Sequence, residues 1–178
     1  MIKKLILHLN LVNKHRFTVF KLCLKAGIPI RGLLHDLSKY SPIELFESVK
    51  YFSGDKSPIS NCKKDIGYSK AWLHHKGRNK HHHEYWYDYN APEETPIIPY
   101  KYVVEMICDN LAAGITYQGK NWTKDYQLKY YLKDKKIINP IIDKILIEVY
   151  TEVSKHGINK VINKKNLKRI YYKNVKKW

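Results

Sequence analysis

Acidic side chains are scarce in this chain of 178 residues. Only 16 aspartates and glutamates stand against 33 lysines and arginines, so the formal net charge is +17 at pH 7. Such an excess favours an anionic partner: a nucleotide, a nucleic acid or an acidic membrane surface. Lys, Asn, Ile and Tyr are all abundant, however, and codon bias in an AT-rich genome explains the charge equally well. Most of the basic residues are lysines, which attract phosphate generally rather than read bases through paired hydrogen bonds.

Cysteine is also rare. The three cysteines, Cys23, Cys62 and Cys108, are odd in number, widely spaced and part of no C-x-x-C motif. This pattern excludes a disulfide framework and a zinc ribbon as the basis of the fold. It indicates reduced thiols, as expected for a cytoplasmic protein.

Long apolar runs are missing as well. No segment approaches the roughly 20 apolar residues of a membrane-spanning helix. The first seven residues resemble the start of a signal peptide, but polar residues from His8 to His15 interrupt the run and no small-residue cleavage site follows. We therefore expect a soluble, intracellular protein without a membrane partner.

The residues that are present predict one folded, all-α domain over 1–178. A hydrophobic content of 44% and an aromatic content of 13% argue against disorder, and the length allows one domain with its own core. Apolar residues recur at helical spacing. The predicted helices cover 2–26, 30–39, 42–52, 62–76, 100–118 and 140–156. We expect a loop or lid over 87–99 and a looser basic connector over 119–136.

The third of these helices has a strong start signal in Ser41-Pro42-Ile43-Glu44. Ser41 is the predicted N-cap, Pro42 lies in the first turn, and Glu44 is placed for a capping box. The preceding helix over 30–39 is therefore short. His35 and Asp36 should lie near its C-terminal end.

The stretch His35-Asp36-Leu37-Ser38-Lys39 is the first candidate for chemistry. Imidazole and carboxylate groups bind divalent transition metals, and a lysine one turn later can hold a phosphate oxygen. Adjacent side chains on a helix diverge by about 100°. Either one ion lies between His35 and Asp36, or Asp36 bridges two ions while His35 binds one of them.

Three further segments carry candidate ligands. His15 lies on the apolar face of the first helix, histidines are dense from His74 to His83, and Asp109 lies beside an apolar face of the helix over 100–118. Each has a plainer interpretation: a core histidine, an exposed polar turn, and an acid paired with one of the many lysines. Their presence on separate segments around the His-Asp pair favours a common metal centre.

The ordered set His15, His35-Asp36, His75, His81/His82 and Asp109 resembles the HD-domain superfamily of metal-dependent phosphohydrolases. More narrowly, H-D-L-S-K-Y-S-P-x-E-(L/F)-F with N-x-H-H-x-E-Y-W is similar to a small family of uncharacterised HD-like proteins of bacteria and viruses. The likeness covers about residues 8–118. The part over 119–178 matches only in its general helical character.

The resemblance implies an HD-domain-like helical bundle with a basic C-terminal helical extension, and a centre of one or two divalent transition metals such as iron or manganese. It implies a first site of His15, His35, Asp36 and Asp109. A second site would be completed by His75, His81 and His82. The match to H-x-x-x-N favours His75 over His74, and His83 is not assigned because the family often has Trp there.

The implied activity is hydrolysis of a phosphate ester by metal-activated water, with Asp36 and Lys39 as catalytic residues. Lys39 would hold the phosphate, Arg78 or Lys80 could assist, and Trp86 could stack a base. The expected substrates are a nucleotide or cyclic nucleotide, then a single-stranded oligonucleotide. The alternatives are a di-iron oxygenase acting on a phosphorylated small molecule, and a nucleic-acid- or nucleotide-binding module with a vestigial metal site.

The C-terminal segment 159–178 contains no acidic residue. Its lysines alternate with Tyr171, Tyr172 and Trp178, and basic residues with aromatics can bind a nucleic-acid strand. The interpretation we favour is a solvated helix whose apolar residues pack back on the domain. Those apolar residues are Val161, Ile162, Leu167 and Ile170.

Overall fold

A computed structural model describes residues 2–176. Within this range the protein has ten α-helices and no strand, which confirms the predicted all-α class. None of these helices is long and apolar enough to cross a membrane. The helices are α1 (Ile2–Ala26), α2 (Pro29–Leu34), α3 (Pro42–Tyr51), α4 (Pro58–Ile66), α5 (Lys70–Arg78), α6 (Tyr100–Gln118), α7 (Tyr126–Tyr131), α8 (Pro140–His156), α9 (Ile158–Val161) and α10 (Lys164–Val175).

The long helix α1 is amphipathic, as its sequence predicts. Its inward residues recur every three or four positions, which is the spacing of one helix face. The helix ends before Gly27, whose φ of +79° suits a residue without a side chain. The buried residues of α1 are His8, Val12, His15, Val19, Leu22, Cys23 and Ala26. Two of the nine histidines therefore lie on the buried face of this helix.

The hydrophobic core lies between α1, α6, α8 and α10. Helix α6 is buried on most of its circumference and packs against α1, while α8 packs against α7, α9 and α10. Helix α8 begins as predicted, because Asn139 Oδ1 accepts a hydrogen bond of 3.0 Å from the Ile141 N–H and Pro140 opens the first turn. This core holds α1 and α6 side by side, so their polar residues can meet at one place.

The C-terminal segment packs back on the domain. Val161, Ile162, Leu167 and Ile170 are all buried, which confirms the interpretation favoured from the sequence. The predicted stacking residue Trp178 lies outside the described residues.

The predicted helix over 30–39 is wrong in its second half. Helix α2 ends at Leu34, and Asp36 adopts a left-handed conformation with φ 53° and ψ 30° before a 3₁₀ turn over Leu37–Tyr40. Aspartate tolerates this conformation better than most residues. The chain therefore turns sharply at the His-Asp pair, and the pair lies outside any helix.

The predicted helix over 62–76 is also wrong, because two helices occupy this region. Helix α4 ends at Ile66, just before Gly67 with its φ of +82°, and α5 begins after Ser69. The Ser69 hydroxyl accepts a hydrogen bond of 3.0 Å from the Trp72 N–H and caps α5. The break redirects the chain so that the last turn of α5 points its histidines inward.

The basic connector over 119–136 contains the short helix α7. This helix packs on α6 and α8. The approach to α6 depends on Gly114, because a Cβ there would lie 3.0 Å from the Tyr126 ring. Helix α7 therefore lies close to the part of α6 that carries Asp109.

Candidate metal centre

The fold brings all seven predicted ligand residues to one place. Helix α1 supplies one of them, the sharp turn after α2 supplies two, α5 and the loop after it supply three, and α6 supplies one. They form two groups whose candidate ligand atoms lie within 4.8 Å of one another. The first group is His15, His35, Asp36 and Asp109, and the second is Asp36, His75, His81 and His82.

The first group surrounds a point between α1, α6 and the turn. Asp109 Oδ1 lies 3.0 Å from His15 Nε2 and 3.3 Å from His35 Nε2. Asp36 Oδ2 lies 3.3 Å from His35 Nε2. Ligand atoms about 2.1 Å from one ion at octahedral or tetrahedral angles are about 3.0–3.4 Å apart. The observed separations match the spacing around a single transition metal.

The second group has the same spacing. Asp36 Oδ1 lies 3.3 Å from His75 Nε2 and 3.4 Å from His81 Nε2. The rings of His81 and His82 have centroids 4.3 Å apart, and His82 is the fourth member of the group. Asp36 therefore presents one oxygen to each group.

Several of these atoms have no hydrogen-bond partner among residues 2–176 although they are buried. A buried polar atom without a partner costs free energy, and a bound cation would remove that cost. His15 Nε2 lies close to Asp109, but the two groups are not oriented for a hydrogen bond. The unpartnered atoms are His15 Nε2, His35 Nε2, Asp36 Oδ1, His81 Nε2 and His82 Nε2. The residues present thus fit a metal centre.

The electrostatics differ between the candidate ligands. Burial would lower the pKa of His35, but Asp36 and Asp109 outweigh it and hold that pKa well above its ordinary value, so a metal ion would have to displace a proton there. Burial lowers the pKa values of His15 and His82, which keeps these imidazoles neutral, as metal ligands must be. Burial would raise the pKa of Asp36, but His35 and Lys39 outweigh it and hold that pKa well below its ordinary value. Asp36 is 1% exposed. It is therefore a buried carboxylate that stays ionised.

Glu105, one turn before Asp109 on α6, supports the centre from behind. Its Oε1 lies 3.2 Å from His35 Nδ1 and 3.3 Å from His81 Nδ1, so both imidazoles can donate to it. The Arg31 guanidinium donates to Oε2. Burial would raise the pKa of Glu105, but the two histidines lower it to about 2. A carboxylate in this place fixes which imidazole nitrogen faces the metal.

Glu44 has the same role for the second group. His75 Nδ1 donates to Glu44 Oε2 over 2.8 Å, so His75 Nε2 faces the centre. His74 Nδ1 donates to Oε1 over 2.7 Å, while its Nε2 accepts from Arg78. The structure therefore places His75 in the centre and His74 beside it. The predicted capping box is wrong, because Glu44 bonds these histidines and the Ser41 side chain makes no cap hydrogen bond.

Neither glutamate was predicted as a site residue. A capping motif explained Glu44 fully, and Glu105 had only the signal of an acid among apolar neighbours. The spacing Glu105 to Asp109 places both acids on one face of α6 and could have suggested a shared role.

Lys39 reaches the centre from the 3₁₀ turn. Its Nζ lies 2.7 Å from Asp36 Oδ2, and its side chain is 28% exposed. Burial would lower the pKa of Lys39, but Asp36 and Asp109 outweigh it and raise that pKa. The lysine is thus a permanent positive charge beside the candidate ligands, and it lines the cavity that opens onto them.

That cavity has a volume of about 650 Å³, enough for a small organic ligand. Helices α1, α6 and α7 and the loop before α4 form its walls. Lining residues that were not predicted as site residues include Lys56, Trp72, Asn110, Gln127 and Tyr130.

The three residues predicted to assist substrate binding do not line this cavity. Arg78 is engaged with His74, and Lys80 Nζ lies 5.6 Å from the Tyr85 ring centroid. Trp86 Nε1 donates to the Lys80 carbonyl over 2.8 Å, and its ring packs on Tyr102. These contacts hold the three side chains outside the lining of the cavity.

Comparison with known proteins gives one result. A model described as "Family of unknown function (DUF5662)" matches residues 5–152. That range includes every residue of both ligand groups, Glu44, Glu105 and helix α7. No curated protein and no solved structure gives a significant match.

Proposed function

Because the chain belongs to the DUF5662 family, whose function is unknown, we propose a function from the centre itself: a metal-dependent phosphohydrolase. The substrate class we propose is a phosphate ester, namely a nucleotide, a cyclic nucleotide or an oligonucleotide. This is the activity implied by the resemblance to the HD-domain superfamily.

One observation carries the proposal. Two groups of buried histidines and carboxylates share Asp36, and five of their atoms lack any other partner among the described residues. A carboxylate shared between two neighbouring sites is the arrangement expected of a two-metal hydrolase. Imidazole and carboxylate ligands suit iron or manganese, with one or two ions bound. The completeness of both groups favours an enzyme over a vestigial site.

Metal ions in these positions would activate a water and neutralise the oxygens of the phosphoryl group. Side chains of the protein would bind the substrate and orient the metal ligands. Lys39 holds a phosphate oxygen, since its ammonium group lies at the edge of the centre and faces the cavity. Glu44 and Glu105 fix the orientation of the histidines. The net charge of +17 attracts an anionic substrate to the cavity.

We also place this activity in the cytoplasm. Cys23, Cys62 and Cys108 are buried and unpaired, as thiols are in a reducing compartment.

The first experiment is metal analysis of the purified protein beside a His35→Ala/Asp36→Ala double variant. One or two iron or manganese ions per chain, lost in the double variant, is the expected result. Asp36→Asn serves as a companion, because asparagine also tolerates the left-handed conformation. It should fold as the wild type does and still lose metal. Full metal content in these variants would show that the assigned centre is wrong.

The second experiment is hydrolysis of nucleotides, cyclic nucleotides and short oligonucleotides by the metal-loaded protein. We expect Lys39→Ala to lower the rate at least 10-fold with metal content unchanged. Turnover that strictly requires iron and dioxygen would instead identify the oxygenase. Metal-independent binding of nucleic acid that falls steeply with salt would identify a binding module.

A further inference from the structure

Gln127 is a largely buried residue whose side chain lines the cavity above the centre. It lies on α7, and only 3% of the residue is exposed. None of the side-chain hydrogen bonds within residues 2–176 involves it. Its amide atoms are not among the fully buried atoms that lack a partner, so they reach the open space of the cavity and can bind a ligand there.

The position of Gln127 is fixed by the neighbouring residues. The Tyr126 ring lies against α6 at Gly114, and the Tyr126 hydroxyl accepts from Gln118 Nε2 over 3.2 Å. Helix α7 is thus attached to the helix that carries Asp109. The amide is held at a set distance from the centre, as specific recognition requires.

Asn110, next to Asp109, provides a second polar group in the same cavity. Its Nδ2 donates to the Tyr150 hydroxyl over 2.8 Å, and Tyr150 is fully buried. This bond leaves Asn110 Oδ1 as an acceptor. Gln127 and Asn110 together offer donors and acceptors without net charge.

Tyr130 adds an aromatic surface one turn from Gln127. One face of its ring stacks on Tyr126, with centroids 6.0 Å apart and planes at 14°, and the residue is 56% exposed. Trp72 is less suited to stacking a ligand. Its ring lies between Lys63, whose Nζ is 5.0 Å away, and the His75 ring at 6.1 Å.

Charge is distributed unevenly along the cavity. Lys39 and Lys56 lie on the turn and in the loop before α4, whereas Asn110, Gln127 and Tyr130 lie on α6 and α7. The acidic residues of the lining, Asp36, Glu44, Asp55 and Asp109, lie at the centre or beside Lys56. Lys136 lines a smaller cavity that shares the α7 residues, and its Nζ donates to the carbonyls of Tyr131 and Asp134. One end suits a phosphate and the other a flat, neutral group with hydrogen-bonding edges.

We propose that the α7 wall, defined as Asn110, Gln127 and Tyr130, binds the base of a nucleotide whose phosphate lies at Lys39 and the metal centre. This rests on the proposed function and adds the substrate group that determines specificity. Tyr130 stacks the base, which any base permits, while the two amides select among bases by their edges.

The test measures binding rather than turnover. AMP, GMP, CMP, UMP and inorganic phosphate are titrated calorimetrically into the full chain with Mn²⁺ present. The wild type should bind at least one nucleotide about 10-fold more tightly than phosphate, and Gln127→Leu should lose about that factor. Phosphate binding should not change. Lys129→Ala, on the exposed side of α7, is the matched control and should bind as the wild type does.

A second variant covers the case in which Gln127→Leu unfolds, which thermal melting would reveal. Gln127→Glu keeps the size of the side chain and removes its donor, so it should change the order of preference among the four nucleotides. The inference is overturned if no nucleotide binds better than phosphate, if both Gln127 variants keep the wild-type preference, or if phosphate and nucleotide affinities fall together.

Hydrolysis assays on the same samples separate the two proposals. Nucleotide binding that depends on Gln127 without any turnover would overturn the phosphohydrolase and leave the α7 wall intact. Turnover at the same rate in the wild type and in both Gln127 variants would overturn the α7 wall and leave the phosphohydrolase intact.

Discussion

Glu105 makes no contact with the cavity, yet it touches two candidate ligands at once. One of its two oxygens, Oε1, lies within 3.3 Å of both His35 Nδ1 and His81 Nδ1, so one side chain orients a candidate ligand of each group. Removing this charge would release two imidazoles together. Such supporting carboxylates commonly contribute 10- to 100-fold to metal affinity.

We therefore predict that Glu105→Gln binds metal about 10- to 100-fold more weakly than the wild type. Competition with a chelator measures the affinity. Glu152→Gln is the control, because Glu152 pairs only with His156 on α8. Equal affinity in Glu105→Gln and Glu152→Gln would refute the orienting role.

Among individual residues, the sequence predicts those whose own side chains would bind a metal ion or a phosphate. Histidines and aspartates in a fixed order predict the centre because imidazole and carboxylate groups are themselves suited to bind a transition metal. Glu44 and Glu105 act through their neighbours, and nothing in their local sequence separates them from a cap or a surface acid. Gln127 was missed for the same reason, since an amide shows its role only when its surroundings are known.

At the scale of helices, the orientation of α5 determines where His75 lies. A carboxylate of α3 holds the start of α5: Glu47 accepts hydrogen bonds from the Ser69 hydroxyl, the Lys70 N–H and the Ala71 N–H. Burial would raise the pKa of Glu47, but these hydrogen bonds outweigh it and lower that pKa. The ionised form is thus favoured by folding.

This gives a pH-dependent prediction for Glu47→Gln. The folded pKa lies below the unfolded value of about 4.3, so the stabilisation is complete above that pH and disappears as the pH falls through the folded pKa. The wild type should exceed Glu47→Gln in free energy of unfolding by about 1 kcal/mol at neutral pH. Denaturant unfolding at several pH values should show this gap closing in acid. A gap that persists below both pKa values would contradict it.

The contact between α6 and α7 gives another prediction. Gly114→Ala should push the Tyr126 ring away from α6, because the new Cβ would lie 3.0 Å from it. We expect a lower melting temperature and weaker nucleotide binding, with metal content unchanged. Gly77→Ala on α5 is the matched control, since nothing lies within 4 Å of its Cβ. Alanine is the better helix former, so this control should melt no lower than the wild type. Unchanged melting and binding in Gly114→Ala would show that the contact is unimportant.

Helix boundaries were predicted well where strong local signals exist and poorly where tertiary contacts decide. Gly27 and Asn139-Pro140 mark real ends. The apolar spacing continues across His35 and Asp36, however, so the sequence alone predicts one helix there. The left-handed turn at Asp36 forms because burial between α1, α5 and α6 favours it, and spacing carries no signal of such packing.

At the scale of the whole molecule, the centre lies where the turn and α5 meet the closely packed pair α1 and α6. Helix α1, the turn, α5 and α6 each contribute at least one candidate ligand to the centre. Five buried polar atoms of the two groups have no hydrogen-bond partner among residues 2–176, and the carboxylates of Asp36 and Asp109 both lie beside His35. The metal is therefore expected to stabilise the fold as well as to act in catalysis.

We predict that removing metal with a chelator lowers the melting temperature and that adding Mn²⁺ restores it. Saturation at 100 times the dissociation constant corresponds to about 2.7 kcal/mol of stabilisation. The His35→Ala/Asp36→Ala variant should show no such response. A melting temperature indifferent to metal in the wild type would contradict a structural contribution of the centre.

The all-α class could be predicted because apolar residues recur at helical spacing in each of the long helices. The surface that we propose to bind the base, the α7 wall, could not be predicted from the sequence. Helix α7 lies in a segment without clear periodicity, and it meets the cavity only because α6 and α8 hold it there. The net charge predicts an anionic partner. A total charge says nothing, however, about which end of one cavity is neutral.

The wide spread of the ligands along the chain has a consequence for biosynthesis. His15 emerges early from the ribosome, whereas Asp109 is translated only after five further helices have begun. A nascent chain that stops short of α6 lacks both Asp109 and Glu105, so neither group has its full set of contacts. We therefore expect the first group to become complete only after α6 has been translated and has packed on α1.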